Sequence, residues 1–270
     1  MGTALVTGAT SGLGEEFCWQ LAAGGHDLVL VARRVQVLEA LADKLRNVAG
    51  VGAQVIAADL STPEGVAAVS RRLDAGGPDS PRGAAGSEEG PGAASERPVD
   101  LLVNNAGFGL GRAFVDNSVA NEERGLDVMV RAVMVLSHHA ARSMRSRGRG
   151  AILNIGSVAS RTGGGTYSAH KAWVVAFTEG LSEELAGSGV SATVVCPGPV
   201  ATSFFANAGI DLGGRLAMAT PERVVADALR AVRAGRVQTT PTLTYKAAMA
   251  AMKVAPRALV LRAMRFLPHM

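Results

Sequence analysis

Residues 4–14 read Ala4-Leu5-Val6-Thr7-Gly8-Ala9-Thr10-Ser11-Gly12-Leu13-Gly14 and run on into Glu15-Glu16-Phe17. A short apolar run enters a glycine turn, and the turn opens a helix. The glycines permit tight turning, close backbone approach to a pyrophosphate and close helix–strand packing, while the helix N-terminus offers free N–H groups and a positive dipole end. Gly8, Thr10, Ser11, Gly12, Leu13 and Gly14 are therefore candidate cofactor-binding residues. Glycine is abundant, at 33 residues, so the spacing alone says little. Its place directly after the first strand adds the weight.

Outward from this turn the same rhythm repeats. Apolar runs at Leu28–Val31, Val55–Ala57, Leu101–Val103, Ile152–Ile155 and Thr193–Val195 alternate with longer stretches such as Gly14–Ala23 and Val35–Val48, whose apolar residues recur every 3 to 4 positions. That is βα repetition, which builds a parallel sheet covered by helices on both faces. The chain of 270 residues is 48% apolar, enough for one large core and incompatible with disorder throughout. The segment Gly76–Arg97 departs from the rhythm: 16 of its 22 residues are Gly, Pro, Ser or Ala, and none is Val, Ile, Leu or aromatic. It reads as a flexible insertion within one domain, because strands continue in the same rhythm on both sides.

Composition closes several routes. Cys18 and Cys196 form no CxxC pair and the five histidines no cluster, so neither a disulfide scaffold nor a cysteine-based zinc site is expected, and no metal ligand is assigned. Cysteine usage and an N-terminus that leads straight into a strand point to the cytoplasm. The net charge of +4 is unevenly spread: no acidic residue follows Asp227, whereas eight basic residues do. Aromatics make up only 4% of the chain, so this charge is not expected to serve nucleic acid. Residues 241–270 form a basic, apolar C-terminal extension in two helical pieces, Tyr245–Val254 and Arg257–Leu267, split by Pro256. A solvated basic face over a packed apolar one, an oligomer contact, a peripheral membrane helix and a contact for an acyl carrier all stay open.

The end of the second strand selects the cofactor. Ala32 is followed by Arg33 and Arg34, where a ribose-binding carboxylate often sits. Guanidinium groups pair with a 2′-phosphate and a carboxylate repels it, so NADP is expected over NAD. Asp59 follows the third strand, at the edge where open sheets bind ligands, although a helix cap is an equally common use for such a residue.

Chemistry gathers after the next two strands. Asn104-Asn105-Ala106-Gly107 follows one, Gly156-Ser157 the other, and Tyr167-Ser168-Ala169-His170-Lys171 comes ten residues later. Tyr167 and Lys171, four apart, share a helix face. At a separation of about 5 Å and an effective dielectric of about 20, their attraction of roughly 3 kcal/mol would lower the phenol from near 10 toward about 8. A proton donor so tuned suits hydride chemistry, since a carbonyl reduced by NADPH needs a proton as the hydride arrives. Ser157 would then hydrogen-bond the carbonyl oxygen, and Lys171 could also anchor the cofactor ribose.

By Thr7-Gly8-Ala9-Thr10-Ser11-Gly12-Leu13-Gly14, Asn104-Asn105-Ala106-Gly107, Ser157, Tyr167 with Lys171, and Pro197-Gly198-Pro199-Val200-Ala201-Thr202, residues 3–240 resemble the short-chain dehydrogenase/reductase family in its compact one-domain form. The resemblance implies a doubly wound Rossmann fold with a seven-stranded parallel sheet and one active site. It implies that Tyr167 is the acid/base, that Ser157 orients the substrate and that Lys171 tunes Tyr167 while holding the nicotinamide ribose. Asp59 would contact adenine, Asn105, Ala106 and Gly107 would line the cofactor site, and Pro197, Gly198, Val200 and Thr202 would cover the nicotinamide. Homodimers or homotetramers built through the helices around Met129 and Tyr167 are implied as well. Two features depart from the family. Met129 stands where an Asn of a proton relay is usual, with His138 a conceivable substitute, and the Ser157–Tyr167 interval is about three residues short and contains Gly163-Gly164-Gly165.

The function expected is an NADP-dependent oxidoreductase acting on a small-molecule carbonyl, an apolar ketone or a 3-oxoacyl chain. The alternative is a non-catalytic NADPH-binding sensor or scaffold. A methyltransferase is disfavoured, since Tyr167, Lys171 and the arginines would have no role in one.

Overall fold

The computed structural model describes residues 2–75, 97–210 and 217–264. The insertion expected at 76–97 therefore lies, apart from Arg97, outside the described residues, as does the end of the second C-terminal piece. The strands are β1 (Thr3–Thr7), β2 (Asp27–Ala32), β3 (Ala53–Ala57), β4 (Val99–Asn104), β5 (Gly150–Ile155), β6 (Val190–Val195) and β7 (Gln238–Thr239). They form one sheet in the order β3-β2-β1-β4-β5-β6-β7, with every neighbouring pair parallel. All five residues of β1 are buried, as a strand covered on both faces must be.

Helices α1 (Gly12–Ala23), α2 (Val35–Ala49) and α8 (Pro221–Arg233) cover one face through Phe17, Leu21, Leu38, Leu45 and Val225. The other face carries α3 (Pro63–Asp74), α4 (Val119–Leu126), α5 (Ala132–Ser146) and α6 (Gly165–Glu184), packed through Val69, Leu136, Met144 and Leu185. A π-helical turn, Asp127–Arg131, joins α4 to α5 without a break in helical backbone. Such insertions recur beside functional sites, and this one carries Met129.

Two short helical turns, Phe114–Asp116 and Val158–Arg161, and the four-residue α7 (Phe204–Asn207) lie in the loops beyond the sheet. After β7 the chain folds back as α9 (Leu243–Val254) and α10 (Arg257–Met264). The strand order reverses between β1 and β4: successive crossovers run outward to β2 and β3 on one side and to β5, β6 and β7 on the other. Their carboxyl ends leave a crevice at this switch point, the usual ligand position in an open α/β sheet. Among the described residues no helix is long and apolar enough to cross a membrane, and no group of three or more His, Cys, Asp or Glu could hold a metal ion.

Candidate active site

One cleft of about 1250 Å³ follows the carboxyl ends of the strands. Gly8, Thr10, Ser11, Gly12, Leu13, Arg33, Arg34, Asp59, Asn105, Ala106, Gly107, Ser157, Tyr167, Lys171, Pro197, Gly198, Val200 and Thr202 all line it. Gly14 is buried behind this surface. A Cβ there would fall 2.0 Å from the Gly8 carbonyl oxygen, so Gly14 shapes the turn from beneath rather than facing a ligand.

The turn is built to receive phosphate. Gly8 and Gly12 have φ of 68° and 54°, the left-handed region that glycine enters freely. A Cβ on Gly8 would meet the Asn105 amide at 2.9 Å, so the backbone there is bare by necessity. At the α1 N-terminus the Ser11 side chain makes no capping bond, whereas α3, α4 and α8 are capped by Thr62, Ser118 and Thr220. Free N–H groups and the helix dipole therefore face the cleft. Arg34 reaches back to Thr10, its Nη2 3.4 Å from the carbonyl oxygen, so the arginine-bearing end of β2 and the glycine turn form one cationic corner.

Thr7, which the motif reading treats only as the residue before the turn, clamps this corner. Its hydroxyl donates to the Val103 carbonyl at 3.2 Å and accepts from the backbone N–H groups of Asn105 and Ala106 at 2.9 and 3.0 Å. Asn105 returns its side-chain amide to the Thr7 carbonyl at 2.9 Å. Its neighbour Asn104 points into the core, donating to Asn154 at 2.9 Å and Ser137 at 3.0 Å, while Asn154 donates to Thr178 at 2.9 Å. These fully paired buried amides fix β4 and β5 against α5 and α6.

Asp59 serves both uses considered for it. It lines the cleft, and its carboxylate accepts from the Ser61 N–H at 3.0 Å and the Ser61 hydroxyl at 2.8 Å, closing the turn into α3. Partial burial pushes its pKa up, but the Ser61 bonds and the nearby Arg33 and Arg124 guanidiniums prevail and hold it below the usual carboxylate range.

At the other end of the cleft Tyr167 and Lys171 are buried, 6% and 5% exposed. Ser157 follows β5, accepts from the Ala159 N–H at 3.1 Å and lines the cleft together with Tyr167. Lys171 donates to the Ile155 carbonyl at 2.7 Å. The electrostatics depart from the sequence expectation. Burial pushes the Tyr167 phenol well above its ordinary value, and the nearby Ser157 hydroxyl offsets this only in part. Burial also pushes the Lys171 ammonium down, to about 8. Lys171 Nζ sits 5.7 Å from the Tyr167 ring centroid and is turned to a backbone carbonyl. Desolvation of both groups thus outweighs the attraction expected between them.

Met129 is fully buried on the same side. A Cβ on Gly107 would lie 3.6 Å from its sulfur and 3.7 Å from Lys171 Nζ, so both side chains close on Gly107. His138 does not substitute for a polar group there: it is exposed and stands edge-on to His139. The histidine that reaches Met129 is His170, whose Cε1 and the Met129 methyl converge on Gly125.

A family model for short chain dehydrogenases matches residues 2–76 and 93–212. This chain belongs to the short chain dehydrogenase family. A short-chain dehydrogenase from Sphingobium yanoikuyae, solved in complex with NADPH, superimposes with a TM-score of 0.81 at 33% identity over 96% of this chain and 94% of that one. The bulky-bulky ketone specific alcohol dehydrogenase from Comamonas testosteroni gives a TM-score of 0.74 at 28% identity over 99% of each chain. The monensin polyketide synthase putative ketoacyl reductase of Streptomyces virginiae is 35% identical over 205 residues, 74% of this chain and 70% of its own. This short chain dehydrogenase is an oxidoreductase acting on CH–OH and C=O groups, and NADP is its cofactor.

Several lining residues escape the motifs. Phe204 tilts over Tyr167 with ring centroids 5.8 Å apart, Phe205 packs edge-on to Phe204, and Arg124 lies over the Phe108 ring at 5.1 Å. Tyr245, Ala248, Ala251 and Met252 arrive from α9. The C-terminal extension is therefore more than a solvated basic face. Phe204-Phe205, an aromatic pair just after the Pro197–Thr202 stretch, was the available signal for the first of these.

Proposed function

We propose that this protein reduces the carbonyl of an apolar ketone or 3-oxoacyl compound with NADPH, and that Tyr167 is its acid and base. The observation that carries the proposal is the buried Tyr167, lining with Ser157 and Lys171 the dry end of a cleft whose other end is a phosphate cradle with two arginines. Bound NADPH supplies a hydride to the carbonyl carbon. Tyr167 gives its phenolic proton to the carbonyl oxygen as charge develops there, while the Ser157 hydroxyl donates a hydrogen bond to the same atom. The raised pKa keeps the phenol protonated across the neutral range, ready to donate. An alkoxide is a far stronger base than a phenolate, so the transfer still runs downhill. Lys171, with one N–H on Ile155, has the others to hold the ribose and to steady the phenolate left behind.

Apolar lining by Phe108, Leu110, Val158, Phe204 and Phe205 supports an apolar substrate, as do the bulky-ketone and ketoacyl relatives named above. NADPH oxidation against 3-oxoacyl thioesters, steroid ketones, quinones and small aldehydes tests the proposal. Tyr167→Phe is expected to lose at least about a hundredfold in turnover, the usual worth of a positioned acid, with NADPH affinity nearly intact. Unchanged turnover would remove Tyr167 from its role, and tight NADPH binding without turnover on any carbonyl would favour a sensor.

We also propose a homodimer or homotetramer through the α4–α5 face, where Leu126 and Met134 are 48% and 45% exposed. Sedimentation as a monomer at micromolar concentration would contradict it.

A further inference from the structure

The C-terminal extension returns to the cleft and is fastened there at both ends. Where α9 begins, the Tyr245 ring lies on Gly198, so closely that a Cβ there would fall 2.4 Å from the ring. The Tyr245 hydroxyl donates to the Ala217 carbonyl at 2.8 Å. At the far end the Arg257 guanidinium donates to the carbonyl oxygens of Arg161 and Thr162, and Leu261 fills the space beside Gly163. Between these anchors Met249, 4% exposed, is seated in a small core with Val174, Val175, Val194 and Cys196. The two loops so gripped carry the Pro197–Thr202 shelf and the short segment between Ser157 and Tyr167. α10 lies against that short segment through Leu261.

With Met249 seated in that core, α9 presents Ala248 and Ala251 to the cleft, while Met252 lines the cleft and also packs against the same core. Two of these residues are alanines. Space that a longer side chain at either position would fill is therefore open. Charge limits the occupant further, since α9 and α10 carry basic residues and no carboxylate.

We infer that α9 is a fixed wall of the substrate pocket, that Ala248 and Ala251 set its width, and that the substrate is a neutral or anionic carbonyl compound with bulky apolar groups. The Arg257 latch is a positioning device, holding the wall against the loop that bears Ser157. This assignment rests on the reductase function proposed above and narrows its substrate class.

The experiment compares full-length wild type, Ala251→Trp, Ala248→Trp and Arg257→Ala in NADPH oxidation with cyclohexanone and with a polycyclic ketone such as a steroid. Wild type is expected to favour the polycyclic ketone in kcat/KM. Either tryptophan is expected to lower the polycyclic-to-cyclohexanone ratio at least about tenfold, a shift within the range that one added group imposes in an apolar pocket. Arg257→Ala is expected to raise KM for the polycyclic ketone more than it lowers kcat, and the NADPH dissociation constant should stay the same in all three variants. A ratio unmoved by both tryptophans, or a wild type that prefers cyclohexanone, overturns the assignment. Should a tryptophan variant fail to fold, Ala251→Leu reads the same ratio. Wild type that binds NADPH and reduces a 3-oxoacyl thioester but neither ketone also overturns the assignment, whereas NADPH binding with no turnover of any carbonyl in the panel overturns the reductase proposal itself, an outcome distinct from an unmoved ratio.

Discussion

At the scale of single residues, the cleft divides into a charged end and a dry end. Arg33 and Arg34 supply the charge. Charge-assisted hydrogen bonds contribute about 1.5–3 kcal/mol each, so Arg33→Ala with Arg34→Ala should weaken NADPH at least about tenfold more than NADH. Equal losses in fluorescence titrations would show that the two arginines do not read the 2′-phosphate. At the dry end, desolvation is the term that decides, and Lys171 carries it. Its ammonium is held down to about 8 in the fold against 10.5 for an ordinary lysine. The folded chain therefore pays for a buried charge below pH 8 and is relieved of that cost as pH rises through 8 toward 10.5. Lys171→Met should stabilise the protein without cofactor by about 1–3 kcal/mol at neutral pH, shrinking over that same rise, while turnover collapses. Thermal melts across the pH range would contradict this if the variant were less stable at pH 7. The same desolvation explains why arithmetic on the Tyr167–Lys171 pair erred: spacing along a helix gives proximity, not burial, and the ammonium turns to a carbonyl that the sequence does not advertise.

At the scale of elements, helix ends separate structure from function. Thr62 closes α3 by accepting from the Gly65 N–H at 3.1 Å, while Ser11 leaves the α1 N-terminus open to the cleft. Thr62→Ala should cost about 1 kcal/mol of stability and leave NADPH affinity alone. Ser11→Ala should do the reverse, weakening NADPH with little change in the denaturation midpoint; a matching pattern in the two variants would refute the distinction. The elements legible in the sequence were those whose pattern is set by burial on both faces. Runs such as Leu28–Val31 lie inside β2, and Val35–Val48 is α2 to within a residue. β7 is two residues long, half-buried and in register with Val194 and Val195 at the sheet edge, and no apolar run marks it. The π-helical turn at Met129 is equally silent, because its sequence is that of an ordinary amphipathic helix. In the C-terminal extension the helices themselves were readable from spacing and Pro256. Their partner surface was not, since contact with Gly198 and Gly163 is set by how the whole sheet closes.

At the scale of the molecule, the order β3-β2-β1-β4-β5-β6-β7 and the returning α9 bring to one edge groups that lie up to 244 residues apart, from Gly8 to Met252. The glycine turn, the Thr7 clamp, the Ser157–Tyr167 pair and the α9 wall become one cleft only through that topology. The account stands on this cleft carrying a hydride to a carbonyl carbon and a proton to its oxygen. The measurement that bears on it most directly is the fate of the hydride when the purified protein reduces a polycyclic ketone with NADPH deuterated at the transferable position. Deuterium recovered on the carbinol carbon, with a Tyr167→Phe variant giving almost none, is the predicted result. NADPH bound and retained, with no deuterium in any alcohol across the carbonyl panel, would contradict it and leave a protein that senses the dinucleotide without consuming it.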